Sequence, residues 1–272
     1  MNKLYIVIII CLFNIMKLCS QEIITEANYL KEDSILWTNY EEQQEPLSEY
    51  WETMPEKRDS IQQLYDDIYK KASKRNIELA IKYASVPSGL QRLYMIRLDI
   101  PKDSLENILN SLNNEMQESF YGKNIREHLQ TDQIKEGDSI HTFPCFQIDG
   151  KEFDWNITKG KQLLILYGGL GCMGKSGREE LELLYNQTSN ENFLIIVYWP
   201  CSSLEHLREV RQEYPSEYIF ISDFKQDASP MKIKYGTQAT PTCFLTDKQH
   251  LVKVKCTGLH MDRFNKYINR TK

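Results

Sequence analysis

One cysteine of this chain stands among residues that are suited to chemistry. Cys172 lies within YGGLGCMGKSGREE, residues 167–180, which follows an apolar run and carries five of the twelve glycines of the chain. Lys175 stands three residues on, where a second cysteine would complete a familiar redox pair. A helix N-terminus and a lysine one turn away both favour the thiolate form of a cysteine. These residue types therefore indicate a nucleophile for disulfide chemistry.

The next apolar run supplies two further candidates. Cys201 ends NFLIIVYWPC, residues 192–201, and is a candidate second thiol if its Cα lies within about 7 Å of the Cα of Cys172. The competing interpretation is a loop cysteine without a partner. Trp199 either lines an apolar groove for a bound peptide or packs against the core. The three cysteines within predicted strands are interpreted as buried apolar residues: Cys145, Cys243 and Cys256.

The elements that must position these residues alternate between strands and helices from residue 135 onward. Apolar runs predict strands at residues 163–167, 192–199, 217–223, 242–247 and 251–258. Amphipathic segments predict a helix after the first of these runs and further helices at 203–214, 230–235 and 260–268. Asp149 and Gly150 predict a hairpin turn before the first run. Pro241 opens a strand, a place where special backbone geometry, including a cis peptide bond, occurs.

This alternation predicts an α/β fold with a central mixed sheet that helices flank on both faces. The last two strands are close enough in sequence to be antiparallel. Ligands bind such sheets at the carboxyl edge of the strands, and Cys172 falls at that edge. The position weakens the alternative that Cys172 only fills a glycine-rich turn.

The part of the chain that precedes residue 135 has a helical period instead. The apolar residues of 59–72 form one continuous stripe, and residues 101–117 repeat the pattern with Pro101 and Asp103 or Ser104 as start signals. Shorter helices are predicted near 76–84 and 89–98. The segment is predicted to be all helical, without a concentrated polar site. The six apolar residues of the first stripe are Ile61, Leu64, Tyr65, Ile68, Tyr69 and Ala72.

Charge and composition exclude some classes of function. The 272 residues carry a net charge of −5, which lacks the basic surface that nucleic-acid binding requires. The five histidines are scattered without ligand spacing, so we expect neither a metal ion nor another cofactor. Asp223 and Lys225 are interpreted as solvated loop charges.

The N-terminus has the layout of an export signal. Asn2 and Lys3 precede a long apolar run, and Ser20 is an acceptable last residue before cleavage. We therefore expect export to the periplasm or cell envelope, with a lipoprotein anchored at Cys19 as the alternative. The predicted organisation is a signal peptide at 1–20, a helical domain at 21–134 and an α/β domain at 135–272. Five cysteines remain after cleavage, so at least one is expected to be free or transiently paired.

From residue 135 to 272 the order of elements resembles the thioredoxin fold, and within it the exported TlpA/ResA type of thiol-disulfide oxidoreductase. The resemblance rests on EGDSIHTFPCFQIDGKEFDW, GGLGCMGKSGREELELL and ATPTCFLTD. It implies a thioredoxin-like mixed sheet preceded by a helical domain of the kind that accompanies such proteins. It also implies that Cys172 is the attacking cysteine, and that Thr240 and the cis-proline Pro241 hold the backbone of a bound partner.

The chain departs from that pattern at two positions. Gly171 replaces the aromatic residue before the nucleophile, and Lys175 replaces the second cysteine, giving C-x-x-K. Release of a mixed disulfide would then require Cys201 or an external thiol. We expect exchange with protein thiols or disulfides of the cell envelope, and membrane association only if Cys19 is lipidated. A binding module that has lost the chemistry is the alternative. Peroxidase activity is disfavoured because Ile165 and Gly169 replace the proline and threonine of the peroxiredoxin pattern.

Overall fold

The computed structural model describes residues 23–188 and 191–268. The predicted signal peptide and the alternative lipidation site Cys19 lie outside these ranges. Among the residues within them, no helix combines the length and the apolar character that a membrane span needs.

The chain divides into two compact units. One comprises the described residues up to Arg97 together with Glu106–Gly122, and the other comprises Leu98–Leu105 together with the described residues from Lys123 onward. These units do not coincide with the predicted ranges. The boundary between residues 134 and 135 therefore stays a prediction.

Helices account for the first part of the chain. In chain order they are α1 (Glu26–Thr53), α2 (Arg58–Lys82), α3 (Pro87–Met95), α4 (Lys102–Ser111), α5 (Asn114–Glu118) and α6 (Phe120–Gln130). The N-cap of α1 is Thr25, whose hydroxyl accepts a hydrogen bond from the Asn28 amide at 3.2 Å. Pro87 opens α3 at the first helical position, where its missing amide costs no hydrogen bond.

The structure joins two of the predicted helices into one and divides another. The chain runs through residues 73–75 as part of one helix, α2, because no helix-breaking residue interrupts it there. The single helix predicted over 101–117 is instead two, since the side chain of Asn113 accepts a hydrogen bond from the Met116 amide at 2.9 Å and caps α5.

The apolar stripe of residues 59–72 is only partly buried. Ile61 and Ala72 are buried, whereas the Leu64 and Tyr69 side chains are 49% and 59% exposed. A compact apolar cluster forms where the C-terminal end of α2 meets α1 and the start of α3. Its buried members are Tyr29, Leu79, Tyr83 and Val86.

A six-stranded mixed sheet is the centre of the second unit. Its strands are β1 (Phe146–Gln147), β2 (Gln162–Tyr167), β3 (Phe193–Tyr198), β4 (Ile219–Ser222), β5 (Thr242–Thr246) and β6 (Val252–Thr257), in the spatial order β1-β4-β3-β2-β5-β6. Strands β2, β3 and β4 are parallel, while β5 is antiparallel to both β2 and β6. The predicted thioredoxin-like mixed sheet, with its antiparallel closing pair, is thus confirmed.

Alternate residues of the strands feed two apolar layers, one on each face of the sheet. On one face pack α7 (Gly174–Gln187), α8 (Leu204–Glu213) and α10 (Met261–Phe264), through Leu181, Leu184, Leu207, Val210 and Phe264. The other face is covered by the short helix α9 (Pro230–Ile233) and by the segment that precedes β2. Helix α10 ends at Phe264, four residues before the predicted end.

The hairpin turn at Asp149 and Gly150 is confirmed. The Gly150 amide donates to the Gln147 carbonyl at 2.9 Å, and Gly150 has a φ of +83°. Glycine takes this conformation without the steric penalty of a side chain.

Asp223 is not the solvated loop charge that the sequence suggested. It is buried at the end of β4, and its Oδ1 accepts a hydrogen bond of 2.6 Å from the Tyr198 hydroxyl. The Tyr198 hydroxyl also lies 2.9 Å from Ser229 Oγ. Burial raises the pKa of Tyr198 above its ordinary value, and the nearby Asp223 raises it further.

Candidate functional site

Two glycines lead the chain out of β2 toward Cys172. Gly168 donates its amide to the Tyr198 carbonyl at 2.8 Å, and Gly168 and Gly169 have φ values of +54° and +83°. A Cβ atom on Gly169 would lie only 2.3 Å from the Pro241 nitrogen. The turn therefore requires glycine both for its backbone conformation and for the approach of Pro241.

Cys172 is exposed just before the first turn of α7. Its Sγ atom lies 3.5 Å from the Thr240 hydroxyl oxygen, in an orientation that allows a hydrogen bond. The Thr240–Pro241 peptide bond is cis. The structure thus brings Cys172 next to Thr240 and Pro241, which lie 68 and 69 positions further along the sequence; all three were predicted as site residues.

A cavity of about 340 Å³ opens beside the thiol. Its lining comes from the start of α7, from the loop that precedes β5 and from the chain that follows β6. It includes Cys172, Met173, Thr240, Pro241, Thr257 and Gly258. The exposed Cys172 and the cis-proline Pro241 therefore line the same cavity.

Tyr214 takes up the space of the side chain that Gly171 lacks. A Cβ atom on Gly171 would lie 2.8 Å from the Tyr214 hydroxyl oxygen. Arg178 fixes the same corner, because its guanidinium donates to the Leu170 carbonyl at 3.0 Å and stacks 5.9 Å from the centre of the Tyr214 ring. Sequence reasoning missed both residues.

The hydroxyl of Tyr214 belongs to a charged neighbourhood. A hydrogen bond to the Glu213 carboxylate, together with burial, raises the pKa of Tyr214, and Arg178 opposes that shift. Tyr214 consequently stays a neutral hydrogen-bonding group beside Gly171 at physiological pH.

Lys175 faces solvent. Its side chain is 85% exposed, and its Nζ atom lies 3.7 Å from Glu179 one turn along α7. The positive charge next to Cys172 is thus shared with a carboxylate. An exposed pair of this kind stabilises a helix by only about 0.3–0.5 kcal/mol.

Cys201 and Trp199 occupy the next loop of the same sheet edge. Cys201 is fully buried, and its thiol donates to the Ser203 carbonyl at 3.4 Å. Trp199 is half buried, packs against the apolar cluster and lies 6.1 Å from Tyr214, measured between ring centres. The predicted roles of both residues stay predictions.

A larger groove of about 620 Å³ runs along the other side of α7. The groove lies between α7 and the chain that follows α8, and both charged and aromatic side chains line it. The lining includes Leu170, Lys175, Arg178, Glu213, Tyr214 and Tyr218.

The part of the chain that the structure describes contains no assembled set of metal ligands. No group of three or more His, Cys, Asp or Glu side chains in residues 23–188 and 191–268 is placed to hold a metal ion.

Several solved structures are similar to this chain over about half of its length. The thioredoxin domain of a thiol-disulfide oxidoreductase from Bacteroides vulgatus is similar over 49% of this chain and 96% of its own, with 19% identity and a TM-score of 0.43. A thiol-disulfide oxidoreductase from Bacteroides fragilis covers 48% of this chain and 96% of its own, with 14% identity and a TM-score of 0.40.

A thiol peroxidase from Chromobacterium violaceum is similar over 50% of this chain and 86% of its own, with 17% identity and a TM-score of 0.40. No protein-family model matches the sequence, and no curated protein matches it significantly. The fold assignment therefore rests on the strand order, the strand directions and the two helix-covered faces described above.

Proposed function

We propose that the protein is an exported thioredoxin-like protein that catalyses thiol-disulfide exchange through the single nucleophile Cys172. One observation carries the proposal: an exposed thiol at the end of β2 lies 3.5 Å from the Thr240 hydroxyl, next to a cis Pro241 and inside a cavity. An accessible cysteine in a helix-start position is the setting in which thiolates react with disulfides.

The chemistry begins when the Cys172 thiolate attacks one sulfur of a partner disulfide. A bond forms between Cys172 Sγ and that sulfur, and the second sulfur leaves as a thiolate that takes up a proton. The Thr240 hydroxyl is placed to donate a hydrogen bond to Cys172 Sγ before the attack. Pro241 presents its backbone to the partner peptide, and Lys175 adds positive charge at the entrance.

Release of the mixed disulfide requires a second thiol. The thiol of Cys201 is buried and bonded to the Ser203 carbonyl, so it must first become accessible in order to attack Cys172. An external thiol needs no such rearrangement. We therefore assign release to an external thiol first and to Cys201 second, which makes disulfide exchange or isomerisation the favoured outcome over net reduction.

The partners in this proposal are protein thiols and disulfides of the cell envelope. Trp199 does not line the cavity at Cys172. It contacts Tyr214, which lines the groove of about 620 Å³, and in this proposal it supports that groove as a binding surface for the partner peptide. Association with a membrane follows only if Cys19 is lipidated. Neither a nucleic acid nor a cofactor enters the reaction.

Refolding of a protein with scrambled disulfides, in a glutathione buffer, tests the proposal. We expect the wild-type chain to accelerate recovery of the native substrate and Cys172→Ser to reduce it to the rate of buffer alone. Cys145→Ser is the matched control, since that cysteine is buried on the opposite face of the sheet. Equal rates for wild type and Cys172→Ser would reject the proposal.

The amount of mixed disulfide that accumulates in Cys201→Ser tests whether Cys201 releases the partner. If Cys201 releases it, Cys201→Ser accumulates partner bound to Cys172 and turnover falls. If an external thiol does so, Cys201→Ser behaves like wild type, and the rate instead rises with the concentration of reduced glutathione.

A binding module without turnover is the second candidate, and the groove of about 620 Å³ beside α7 favours it. Its mixture of aromatic and charged side chains is suited to a peptide. Wild type and Cys172→Ser would then bind the same envelope partner equally well, while neither accelerates refolding. Loss of binding in Arg178→Ala, with Cys172→Ser unaffected, would place the partner in this groove.

A further inference from the structure

Two cysteines outside the site described above face each other across the closing strands. Cys243 of β5 and Cys256 of β6 are direct partners in the antiparallel register. The Gly258 amide donates to the Pro241 carbonyl at 2.8 Å, two residues along the same ladder. Because hydrogen-bonded pairs alternate along such a ladder, Cys243 and Cys256 are also a hydrogen-bonded pair, whose Cα atoms lie about 5.5 Å apart. That separation is within the usual range for a disulfide.

Their side chains point to the same face of the sheet. Both belong to the apolar layer that α7 and α10 cover, so the two thiols are neighbours rather than on opposite faces. The neighbouring Cys256 thiol, together with burial, raises the pKa of Cys243 well above its ordinary value, whereas the interaction with Cys243 lowers the pKa of Cys256. His260 and Arg263 add positive charge on the side of Cys256. The positive charge beside Cys256 and the complete burial of Cys243 favour ionisation of Cys256 over that of Cys243.

Of the two thiols, that of Cys256 is the more accessible. Cys256 is 8% exposed, whereas Cys243 is fully buried. The Cys256 thiol lies 3.5 Å from the Gly258 carbonyl, and Thr257, Gly258 and Leu259 line the cavity of about 340 Å³ that also contains Cys172. A small disulfide in that cavity lies close to the backbone that carries Cys256.

We propose that Cys243 and Cys256 form a second redox site, independent of Cys172, which low-molecular-weight disulfides of the glutathione class oxidise to a cross-strand disulfide. The Cys256 thiolate attacks one sulfur of oxidised glutathione, forms a mixed disulfide and expels one glutathione thiolate. Cys243 then attacks the Cys256 sulfur, forms the Cys243–Cys256 bond and expels the second. The two protein protons end on the two glutathione thiols, so one disulfide is reduced as another is formed.

The experiment incubates the full chain, reduced and folded, with oxidised glutathione, and identifies linked tryptic peptides by mass spectrometry after free thiols are blocked. We expect the peptide of residues 235–248, which contains Cys243, to be joined to the peptide of residues 256–263, which contains Cys256. The linked species should be 2 Da lighter than the sum of the two peptides, and dithiothreitol should separate them.

Three comparisons make the result decisive. In Cys172→Ser the link should form at an unchanged rate, which separates this site from the exchange activity proposed above. Cys145 is fully buried and has a pKa raised to about 12 by burial, so it should stay unmodified in the same sample. Cys243→Ala should instead accumulate glutathione on Cys256, because the second attack is removed.

Other products would overturn the proposal. A link that appears only after unfolding in urea would show that the folded strands do not allow the bond. Glutathione that remains on Cys256 of the wild-type chain without a link, or a link between Cys256 and Cys172, would show that Cys243 is not the partner.

Discussion

Gly169 and Pro241 approach so closely that no side chain fits between them. The Cβ position of Gly169 lies 2.3 Å from the Pro241 nitrogen and 2.6 Å from its Cα atom. Through this contact the turn that presents Cys172 is seated against the loop that carries Thr240. The geometry of the candidate site therefore depends on a glycine that has no chemistry of its own.

Replacement of Gly169 by alanine should destabilise the second unit and move Cys172 away from Thr240. Gly160→Ala is the matched control, because Gly160 has a similar φ of +74° but nothing within 4 Å of its Cβ position. We expect Gly160→Ala to cost about 1–2 kcal/mol for the backbone conformation. Gly169→Ala should cost roughly 1–3 kcal/mol more, for overpacking. Urea unfolding of both variants measures the difference, and equal losses would contradict the contact.

The corner at Gly171 and Tyr214 can be tested by a double-mutant cycle. Gly171→Ala should destabilise the protein because the new methyl group meets the Tyr214 hydroxyl. In Tyr214→Phe that oxygen is absent and the nearest ring carbon lies 3.8 Å away, an ordinary contact. We expect the cost of Gly171→Ala to fall by about 1 kcal/mol in the Tyr214→Phe background. Strict additivity in urea unfolding would argue that Tyr214 does not fill this space.

The buried hydrogen bond between Tyr198 and Asp223 should contribute more to stability than one to a neutral acceptor. Tyr198→Phe removes the donor to the Asp223 carboxyl group, and we expect a loss of about 1.5–3 kcal/mol. Tyr235→Phe is the control, because this equally buried hydroxyl donates to the His141 carbonyl at 2.8 Å. Its removal should cost about 0.5–1.5 kcal/mol. Thermal or urea unfolding that ranks the two variants in the opposite order would contradict this account.

Glu32 should make the stability of the helical unit depend on pH. A hydrogen bond from Lys82 and a smaller contribution from the Tyr83 hydroxyl hold the pKa of Glu32 below its unfolded value of 4.5. Its contribution is therefore complete above pH 4.5 and is lost as the pH falls through the lower folded value. The urea midpoint, followed by the helical circular dichroism signal, should drop over this acid range. Glu32→Gln should flatten that drop, and an unchanged profile in Glu32→Gln would count against the assignment.

Local sequence pattern sufficed for the strands of the central sheet. Continuous apolar runs predict buried strands, and the end of β2 lies beside the start of β5 because these strands pair antiparallel. The resemblance of the element order to the thioredoxin fold, rather than local pattern, predicts that Cys172 and Pro241 lie together. The cross-strand pair of Cys243 and Cys256 was within reach of the same reasoning, but it required the register of β5 and β6.

The remainder depends on contacts that a local pattern does not encode. Tyr214 reaches Gly171 from the end of α8, 43 residues away along the chain, and no spacing in the sequence announces that approach. In the sequence Asp223 resembles a solvated loop charge, whereas in the structure it is buried and accepts a hydrogen bond from the Tyr198 hydroxyl of the neighbouring strand. Helix boundaries were uncertain for a similar reason, because a single cap at Asn113 divides an otherwise continuous helical pattern.

The central claim is that the fold activates Cys172, and its alkylation rate tests this most directly. Iodoacetamide at pH 6.5 is applied to the native protein and to the urea-unfolded protein, and the tryptic peptide of residues 162–175 reports Cys172 alone. We predict that Cys172 reacts at least about tenfold faster in the folded chain, while the buried Cys201 and Cys145 react more slowly than when unfolded. A folded rate for Cys172 that equals or falls below its unfolded rate would contradict the account.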